Sequence, residues 1–569
     1  MKLKNKTGSS ELIAALKKNK IKNIFVYPGG TIAPILDLVE KEKIKIFCSR
    51  HEQGAGYAAL AASKIKNKPQ VTMVSSGPGV TNVVTPIADA YFDSIPMVVF
   101  TGQVGQKDMR KSIKFRQKGF QEVDTLSLFK PITKACFQPK SPEEVYKIIN
   151  LAFDISQSGR PGPVLIDMPM DVQRDFLKKK RIVEKLTTKT KNFKNEKNKI
   201  KKIYNLFQKS KKPLILCGHG VVLSKTEKII RKISSKHLVP VTMSLMALGV
   251  IPSDNKLSLG FHGHTGNQAA GIAIQNCDLL IVVGSRLDLR QVGTQSKDFA
   301  KKAKIIRIDI DINEIQNSRV SCDINLIGPI EYWLPVLSSS ISKIKNNYVD
   351  WLNEIKNLKK NHKLSYSSSG KIKPQEVIEL FNGLTRYKKV ICVTGVGQHQ
   401  QWTARHFSFN NPSRTWFTSG GHGAMGYDLP VAIGAQYTSQ KSLVLCFVGD
   451  GSLQMNIQEL ASLNVYKLPV KIIVLDNNRL GIVSQFQKLN FKKDPTCGEK
   501  WNPDFCKLAN SYGIYALKVK RRNDLKKKIQ KILKYNGPAL LHCQIDSNEE
   551  LSPMLLAGQT LDKMWKNEK

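Results

Sequence analysis

The sequence predicts an α/β fold made of three doubly wound, parallel-sheet domains. The main observation is that short apolar runs rich in β-branched residues alternate with helical patterns along almost the whole chain, which is typical of parallel sheets covered by helices. A second observation is that two lysine-rich stretches poor in apolar residues, 178–202 and 356–373, interrupt this alternation. We therefore expect three units of similar size, spanning residues 1–177, 200–345 and 370–569.

Strands are predicted where the apolar runs are shortest and most regular. In the first unit they lie at 24–27, 44–48, 71–75, 97–101 and 164–168, with helices at 54–64 and 81–91. In the second unit the apolar runs begin at 213, 278 and 305, and in the third they lie at 390–394, 443–448, 471–475 and 539–545, with a helix at 456–466. Because ligands bind outside the carboxyl ends of parallel strands, the turns after these runs are the places to look for a site.

The charge balance raises the alternative of a nucleic-acid-binding protein. The chain has 89 Lys and Arg residues against 45 Asp and Glu among 569 residues, a formal net charge of +44, and such an excess attracts polyanions. The positive residues are mostly lysines spread along the whole chain rather than gathered in one stripe, so we expect no nucleic-acid partner. No apolar run reaches the roughly 20 residues of a membrane span, and the amino-terminal segment has no apolar signal core. We expect a cytoplasmic protein with no membrane partner.

The sharpest candidate site combines Asp450 and Gly451, at the end of one predicted strand, with Asn477, at the end of the next. The strand–helix–strand unit between them brings a carboxylate and a carboxamide side by side. Hard oxygen ligands that leave room for phosphate oxygens suit Mg²⁺, and Gly451 lets the backbone approach a phosphate closely beside a helix N-terminus. Each motif alone is more often an ordinary turn, but their joint spacing predicts a metal–diphosphate site.

A second candidate is Glu52, which lies between an apolar strand and a helix of small residues in RHEQGAG (50–56). A carboxyl group at such a junction is poorly hydrated, which raises its pKa and lets it exchange a proton near neutrality. The alternative is an exposed glutamate favoured by the helix dipole. The glycine-rich turn SSGPGVTN (75–82) indicates only that the backbone approaches something closely.

Motifs along nearly the whole chain resemble those of the large subunit of thiamine-diphosphate-dependent acetolactate (acetohydroxyacid) synthases. They are YPGG (27–30), RHEQGAG (50–56), SSGPGVTN (75–82), FTGQV (100–104), GFQEVD (119–124), GRPGPVLIDMP (159–169), GQHQQW (397–402), SGGHGAMGYDLPVAIGAQ (419–436) and the unit containing Asp450 and Asn477. The match runs in register from about residue 10 to SPMLLAGQ (552–559). It implies pyrimidine-binding, central and diphosphate-binding domains. It also implies a homodimer or homotetramer, in which the site forms between the first domain of one subunit and the third domain of the other.

The resemblance implies roles for the matching residues. Glu52 would hydrogen-bond the aminopyrimidine ring of thiamine diphosphate and promote the tautomer that removes the thiazolium proton. Asp450 and Asn477 would ligate Mg²⁺ together with the main-chain carbonyl of Arg479. The further catalytic positions that it implies are Gln121 and Lys134. The other thiamine diphosphate contacts that it implies are Gly29, Asn82, Gln398, His399, Met425, Gly451 and Ser452, with Met425 as the apolar support that bends the cofactor.

The resemblance further implies a bound FAD with a largely structural role. Its expected contacts are Arg160, Gly284, Arg286 and Asp309, and the alternative is an ordinary α/β domain with turns at its strand ends. The implied reaction removes CO₂ from pyruvate and transfers the remaining two-carbon unit to a second carbonyl substrate. A regulatory small subunit is a further partner that the family allows.

Several positions around the second-substrate pocket depart from the family pattern. LDLR (287–290) stands where Phe-Asp-Asp-Arg is typical, and it keeps Arg290, which would hold an acceptor carboxylate. Phe486 replaces a tryptophan that discriminates between acceptors, and His422 replaces a leucine. The segment 104–119 is longer and more basic than expected. These departures affect the acceptor half of the reaction and leave the cofactor positions intact.

Two enzymatic predictions follow. The leading one is acetolactate synthesis from two molecules of pyruvate, as in branched-chain amino-acid biosynthesis, with Phe120, Arg290 and Phe486 as substrate contacts. The alternative is a related carboligase that uses pyruvate as donor and a nucleotide-linked keto-sugar or another carbonyl compound as acceptor. The basic segment would suit a diphosphate-bearing acceptor.

Overall fold

The computed structural model of the chain describes residues 6–112, 114–182, 196–493 and 502–567. These residues form three six-stranded sheets in which every strand pairing is parallel, so the predicted fold class is confirmed. Each sheet lies within one of the three expected units, whose boundaries stay predictions. None of the helices in the described ranges combines the length and the apolar character that crossing a bilayer requires.

The first domain surrounds a sheet with the spatial order β2-β1-β3-β4-β6-β5. Its strands are β1 (Asn23–Val26), β2 (Lys45–Cys48), β3 (Gln70–Val74), β4 (Met97–Gln103), β5 (Ala135–Phe137) and β6 (Pro163–Pro169). Its helices include α1 (Gly8–Lys18), α2 (Ala33–Lys41), α3 (Glu52–Lys66), α4 (Pro78–Asn82), α5 (Val84–Phe92), α6 (Thr125–Phe129), α7 (Pro142–Gln157) and α8 (Met170–Arg174). Strands β3, β4 and β6 are buried along their whole length, because side chains from helices pack on both faces of the sheet.

The central domain has the sheet order β12-β11-β10-β7-β8-β9. Its strands are β7 (Pro213–Cys217), β8 (Val241–Met243), β9 (Ser258–Phe261), β10 (Leu279–Val283), β11 (Lys304–Asp309) and β12 (Ile324–Ile327). Its helices include α9 (Lys197–Lys209), α10 (His219–Leu223), α11 (Glu227–His237), α12 (Gln268–Asn276), α13 (Leu289–Val292), α14 (Ile312–Gln316), α15 (Ile330–Ser340) and α16 (Val349–Asn361).

The third domain has the sheet order β14-β13-β15-β16-β18-β17. Its strands are β13 (Val390–Val393), β14 (Arg414–Phe417), β15 (Leu443–Gly449), β16 (Lys471–Asp476), β17 (Tyr515–Val519) and β18 (Ala539–Gln544). Its helices include α17 (Pro374–Leu384), α18 (Gln398–His406), α19 (Asp428–Thr438), α20 (Asp450–Gln454), α21 (Leu460–Val465), α22 (Gly481–Phe491), α23 (Phe505–Ser511) and α24 (Arg522–Lys534). Adjacent strands β15 and β16 both end at the side of the sheet where a ligand is expected.

The linker expected at 178–202 is shorter than its composition indicated. Residues 183–195 of that stretch lie outside the described residues, and its end is helical because α9 begins at Lys197. The apolar side chains of Ile203 and Phe207 are buried one helical turn apart, while Lys197, Lys201, Lys202 and Lys209 are exposed. An amphipathic helix with such a narrow apolar stripe is easily read as a polar segment.

Two other expectations differ from the structure for local reasons. The expected separator at 356–373 begins inside α16, which buries Ile355 against the central domain. The single helix expected at 81–91 is two helices, α4 and α5. Pro86 has no N–H to bond the carbonyl of Asn82, so the helix is interrupted just before it.

The first and third domains share one hydrophobic core. Helices α3 and α19 cross at very close range. The distance is so short that a Cβ on Gly434 would lie only 2.5 Å from the Cα of Ala58. The rings of Tyr57 and Tyr427 meet edge to face at the same contact, with their centroids 5.2 Å apart. These two domains of one chain therefore form a single packed body.

The carboxyl-terminal segment returns from the third domain to the central one. The backbone N–H of Leu555 donates to the carbonyl of His264 at 2.7 Å. The buried side chain of Leu561 packs over α12, where a Cβ on Gly271 would lie 2.3 Å from the Leu561 carbonyl. The last described residues thus form part of the central domain's surface layer.

Candidate active site

The three residues expected to hold a metal lie around one small cavity. Asp450 begins α20 directly after β15, and Asn477 follows the neighbouring strand β16. Together with Arg479 they line a cavity of about 50 Å³. Among the described residues, no three His, Cys, Asp or Glu side chains gather in a metal-binding cluster. A cation here would therefore rely on one carboxylate, one carboxamide and backbone oxygen, which is the donor set expected for Mg²⁺.

The carboxylate of Asp450 is buried and accepts a hydrogen bond from a side-chain amide. Burial raises the pKa of Asp450 above its ordinary value, and a hydrogen bond of 2.6 Å from Asn502 Nδ2 opposes that shift. The same amide nitrogen donates to Asp476 Oδ1 at 2.8 Å. A cation at Asp450 would favour the ionised carboxylate, as bound cations do wherever they meet an acid. The surroundings of Asp450 therefore fit a divalent ion.

A chain of side-chain amides fixes the orientation of Asn477. Its Nδ2 donates to Gln398 Oε1 at 3.1 Å, and Gln398 Nε2 donates to Gln485 Oε1 at 3.0 Å. A Cβ on Gly481 would lie 1.9 Å from Gln398 Oε1, so a larger residue there would displace the amide chain. The sequence interpretation did not include Gln485, and no motif pointed to it.

The other expected diphosphate contacts surround the same cavity. Its lining includes Gln398, His399, Met425, Gly451 and Ser452. A Cβ on Gly451 would lie 3.4 Å from the terminal methyl carbon of Met425, so the apolar support directly adjoins the phosphate-binding turn. The hydroxyl of Ser452 donates to the buried carboxylate of Asp428, so its proton points away from the cavity.

Glu52, the residue expected to exchange a proton, is buried. We call its surroundings and those of Asp450 the two functional poles of the expected site. Glu52 begins α3 and is 7% exposed, which favours the buried interpretation over an exposed helix N-terminal glutamate. Asn82 Nδ2 donates to Glu52 Oε2 at 3.0 Å. A Cβ on Gly79 would lie 3.6 Å from Glu52 Oε1, so the glycine-rich turn packs against this carboxylate. The carboxylate and its amide donor therefore lie together, and the roles of both residues at the cofactor stay predictions.

Gly29 and Gln121 adjoin the glycine-rich turn that faces Glu52. A Cβ on Gly29 would lie 2.4 Å from the Cβ of Ser75, and Gln121 packs on Gly77 with its backbone in the left-handed region at φ +62°. Phe120, the residue before Gln121, is 84% exposed. Gly29 and Gln121 therefore lie beside the turn that packs on Glu52, and the neighbouring Phe120 side chain is open to solvent.

Lys134 lies in a different environment. Its ammonium group donates to the carbonyls of Ile155 and Ser158 at the carboxyl-terminal end of α7. Burial lowers the pKa of Lys134 to about 8. The described hydrogen bonds of Lys134 do not include Glu52 or Gln121, so its catalytic role stays a prediction.

A larger cavity of about 610 Å³ is lined by residues of all three domains. Its lining includes all four positions expected to contact FAD, which are Arg160, Gly284, Arg286 and Asp309, and also the expected substrate contact Arg290. Its volume is typical of cofactor sites, which span roughly 300 to 1,000 Å³. Gly284 has φ +60°, and a Cβ there would lie 2.7 Å from the Cα of Gly220. The close packing of Gly284 on Gly220 fixes the turn that forms this wall of the cavity. The cavity's volume and the guanidinium groups of Arg160 and Arg286 in its lining fit a dinucleotide.

Arg160 is held in place at this cavity by three partners. Its Nε donates to Ser94 Oγ at 2.8 Å, and its Nη1 donates to Asp311 at 3.1 Å and to Glu314 at 2.6 Å. These acids raise the pKa of the Arg160 guanidinium despite burial, which opposes that shift. The guanidinium is therefore a fixed positive charge that joins the first domain to the central one.

The residues that depart from the family pattern do not gather at one place. His422 stacks on Phe92 with ring centroids 5.7 Å apart, and both line the larger cavity together with Arg290. Phe486 lies on α22 and is 55% exposed. None of the described residues of the basic segment 104–119, which are all but residue 113, lines either cavity.

Neither of the two cavities brings Glu52 and Asp450 together within the described part of one chain. Neither lining includes Glu52, whereas Asp450 lines the smaller cavity. Large apolar side chains are exposed near both poles: Phe120 at 84%, Phe486 at 55% and Leu480 at 40%. Exposed apolar surface of this kind is typical of protein interfaces.

Comparison with known proteins gives matches over all three domains. Models of the thiamine pyrophosphate enzymes match the N-terminal TPP binding domain at residues 6–128, the central domain at 200–337 and the C-terminal TPP binding domain at 395–543. The C-terminal match contains every residue of the smaller cavity.

Curated relatives match the chain from end to end. An acetolactate synthase large subunit of Cyanidium caldarium is 38% identical over 98% of this chain and 96% of its own length. The isozyme 2 large subunit of Escherichia coli is 36% identical over 98% of this chain and 99% of its own. The mitochondrial catalytic subunit of Saccharomyces cerevisiae is 36% identical over 98% of this chain and 83% of its own.

Proposed function

Because this chain belongs to the acetolactate synthase large-subunit family of thiamine-diphosphate enzymes, we propose that it joins two molecules of pyruvate into 2-acetolactate and CO₂. The observation that carries the proposal is the cavity at the carboxyl ends of β15 and β16, where Asp450, Asn477 and the Arg479 backbone meet. It has the oxygen donors for Mg²⁺, and it lies beside a helix N-terminus that favours a phosphate. The residues expected at the cofactor are therefore present in this chain, and its departures from the family pattern lie elsewhere.

Thiamine diphosphate supplies an electron sink for the loss of CO₂ and for attack on a second carbonyl. The chain's own residues bind and orient it. Glu52 Oε2 is occupied by the Asn82 amide, so Oε1 is the oxygen that holds or releases a proton at the aminopyrimidine ring. The burial of Glu52 excludes water, which keeps that proton transfer specific.

We further propose Mg²⁺ at Asp450 and FAD in the larger cavity. The burial of Asp450 and the fixed Asn477 amide support the metal. The glycine cradle at Gly284 and the anchored guanidinium of Arg160 support the flavin. A visible absorption spectrum of the purified protein, with maxima typical of bound flavin, tests the second assignment directly.

We propose a homodimer as the minimum active unit, with a homotetramer as a larger form of the same contact. The separation of Glu52 from the cavity of Asp450 supports it, because a second copy would supply the missing pole. The names "large subunit" and "catalytic subunit" among the relatives support a regulatory partner. The cytoplasmic location stays a prediction, since two relatives are named mitochondrial.

A second candidate differs only in the acceptor. The basic segment 104–119 is held in a loop by Glu122, which accepts from the backbone N–H groups of Arg110 at 2.6 Å and Lys118 at 2.8 Å. The positive side chains on it are mostly exposed. Such a surface favours a phosphorylated acceptor such as a nucleotide-linked keto-sugar.

One product analysis separates the two candidates. The purified full-length protein is incubated with thiamine diphosphate, Mg²⁺, FAD and pyruvate alone, and pyruvate, CO₂ and acetolactate are quantified by NMR and gas analysis. Acetolactate synthesis predicts one acetolactate for every two pyruvates consumed. Decarboxylation without acetolactate would overturn the proposal, and a new adduct on adding a keto-sugar nucleotide would establish the second candidate.

A further inference from the structure

The carboxylate of Asp428 collects donors from three turns that surround the smaller cavity. Asp428 begins α19 and has no exposed surface. It accepts hydrogen bonds from the backbone N–H of Gly395, from Ser452 Oγ and from His399 Nε2, the last at 3.0 Å. Gly395 follows β13, His399 lies in the first turn of α18, and Ser452 lies in the first turn of α20. One buried carboxylate therefore ties together the cradle expected to receive a diphosphate.

The donors also fix which way the His399 ring faces. The buried Asp428 carboxylate already accepts two hydrogen bonds, so it acts as the acceptor toward His399 as well. The proton shared between Asp428 and His399 therefore lies on Nε2 of the ring. The opposite edge of the ring lies between two glycines. A Cβ on Gly397 would be 2.9 Å from Nδ1, and a Cβ on Gly449 would be 3.0 Å from it. Both glycines line the cavity, so Nδ1 faces the space expected to hold the diphosphate.

We propose that Asp428 is a positioning residue that holds His399 ready to bind the diphosphate end of the cofactor. This inference rests on the proposed function. Asp428 fixes the ring through Nε2, so the opposite nitrogen, Nδ1, is held toward the diphosphate. The ring also separates the Asp428 carboxylate from the diphosphate, which it would otherwise repel.

The sequence alone did not single out Asp428. Asp428 lies inside the long motif 419–436, but the motif does not contain Gly395 or His399, two of the residues that bond its carboxylate. The role depends on His399 and Gly395, which reach it from 29 and 33 positions away in the chain. In metal sites, mutating the outer hydrogen-bond partner of a ligating histidine lowers metal affinity roughly 10- to 100-fold. We expect the loss of Asp428 to lower the affinity for thiamine diphosphate by a similar factor.

The test is the affinity for thiamine diphosphate, measured at fixed Mg²⁺ by isothermal titration calorimetry of the full-length protein. Asp428→Asn should weaken binding about tenfold or more, while kcat at saturating cofactor changes by less than about threefold. Thiamine, which lacks the diphosphate, should bind equally to both proteins. Inorganic diphosphate should compete less well against the variant, because it depends on the same end of the site.

Asp278→Asn is the matched control. Its carboxylate also accepts three hydrogen bonds, from Ser210 Oγ at 2.5 Å and from the backbone N–H groups of Lys211 at 2.7 Å and Lys212 at 3.0 Å. Asp278 lies in the central domain and lines neither cavity. The control should lower the thermal midpoint as Asp428→Asn does, but leave the affinity for thiamine diphosphate unchanged.

A double-mutant cycle separates positioning from general stabilisation. If Asp428 acts through His399, then Asp428→Asn combined with His399→Asn should bind no more weakly than His399→Asn alone, because the two effects share one interaction. Should Asp428→Asn fail to fold, Asp428→Ala replaces it, since it brings no amide donors to face Gly395.

The outcomes separate the inference from the proposed function. Wild-type protein that binds no thiamine diphosphate would overturn the proposed function, and this inference with it. Wild-type binding that is retained in Asp428→Asn within a factor of two would overturn the inference alone. Additive losses in the double mutant would also overturn it, because they would mean that Asp428 does not act through His399.

Discussion

Asn477 and Gln398 are joined by a hydrogen bond of 3.1 Å that runs from the amide nitrogen of Asn477 to the side-chain carbonyl of Gln398. The carbonyl oxygen of Asn477 accepts only a long hydrogen bond, from the backbone N–H of Arg479 at 3.3 Å, and is the atom that can meet a cation. Asp450 lines the same cavity and begins the helix after the neighbouring strand. The pair of amides thus determines which atom of Asn477 serves the metal.

Asp450→Ala should abolish the Mg²⁺-dependent retention of thiamine diphosphate. The change removes the only carboxylate among the expected ligands, and the amide and backbone oxygens that remain bind Mg²⁺ weakly. We expect cofactor affinity to fall by more than about 100-fold, and wild-type protein dialysed against a chelator should lose its cofactor in the same way. Equilibrium dialysis with and without Mg²⁺ measures both, with Asp524→Ala on α24 as a control that keeps its cofactor.

Glu52→Gln should keep the cofactor but lose most of the turnover. The amide side chain can still meet Asn82, which now donates to its carbonyl oxygen, but it cannot relay a proton to the aminopyrimidine ring. General acid–base groups contribute about 10²- to 10⁴-fold, and we expect the exchange of the thiazolium proton with deuterium, followed by NMR, to slow by that amount. Exchange at the parent rate would remove Glu52 from this role. Glu40→Gln, an exposed change on α2, serves as the control.

Gly284→Ala should lower flavin content. The backbone there has φ +60°, and the new methyl group would meet the Cα of Gly220 at 2.7 Å, so the turn must shift. A non-glycine residue in this conformation costs about 1 to 2 kcal/mol. The ratio of visible to ultraviolet absorbance of the purified protein reports the loss. Gly383→Ala is the matched control, because its Cβ would meet nothing within 4 Å in helix α17. A flavin content equal in both variants would contradict the assignment.

Asp167→Asn should flatten the dependence of stability on pH. Burial raises the pKa of Asp167 from its ordinary value of 3.8 to about 6, against the hydrogen bonds of Thr101 and Gln138. Between these values the folded protein holds a proton that the unfolded chain has lost. The stability from this group is therefore fully present below pH 3.8 and is lost as the pH rises through 6.

The expected size of this effect is up to about 1.4 kcal/mol per pH unit, the change for one proton. The difference in thermal midpoint between the wild type and Asp167→Asn should shrink or reverse between pH 4.5 and 6.5. Asp37→Asn, in a surface ion pair with Lys41, should give a difference that does not depend on pH in this range. A constant difference for Asp167→Asn would show that its carboxyl does not titrate there.

The central strands of each sheet were predictable from the sequence, whereas several edge strands were not. β10, β15 and β16 are almost completely buried, so each is a continuous apolar run. β5 and β17 lie at sheet edges and are mostly half-buried, so neither forms a continuous buried apolar run. β8 lies inside its sheet and is buried, but its three residues are too few to stand out as a strand.

The metal pole was predictable because its parts are local. Asp450 and Asn477 belong to one strand–helix–strand unit, whose geometry is fixed by the fold class. Asn502 and Gln485 reach the same pole from other segments, and side-chain contacts of that kind leave no spacing to recognise. The flavin positions came from the family resemblance, because Arg160 is brought to the central domain only by the packing of whole domains.

The return of residues 551–567 onto the central domain limits how this protein can be dissected. A fragment ending after β18 would strip the cover from α12, where Gly271 leaves space only for the Leu561 backbone. The central domain expressed alone would carry the same bare patch and would be prone to aggregate. Tags and fusions at the carboxyl terminus therefore need a spacer, and limited proteolysis should release the tail only after the central domain has loosened.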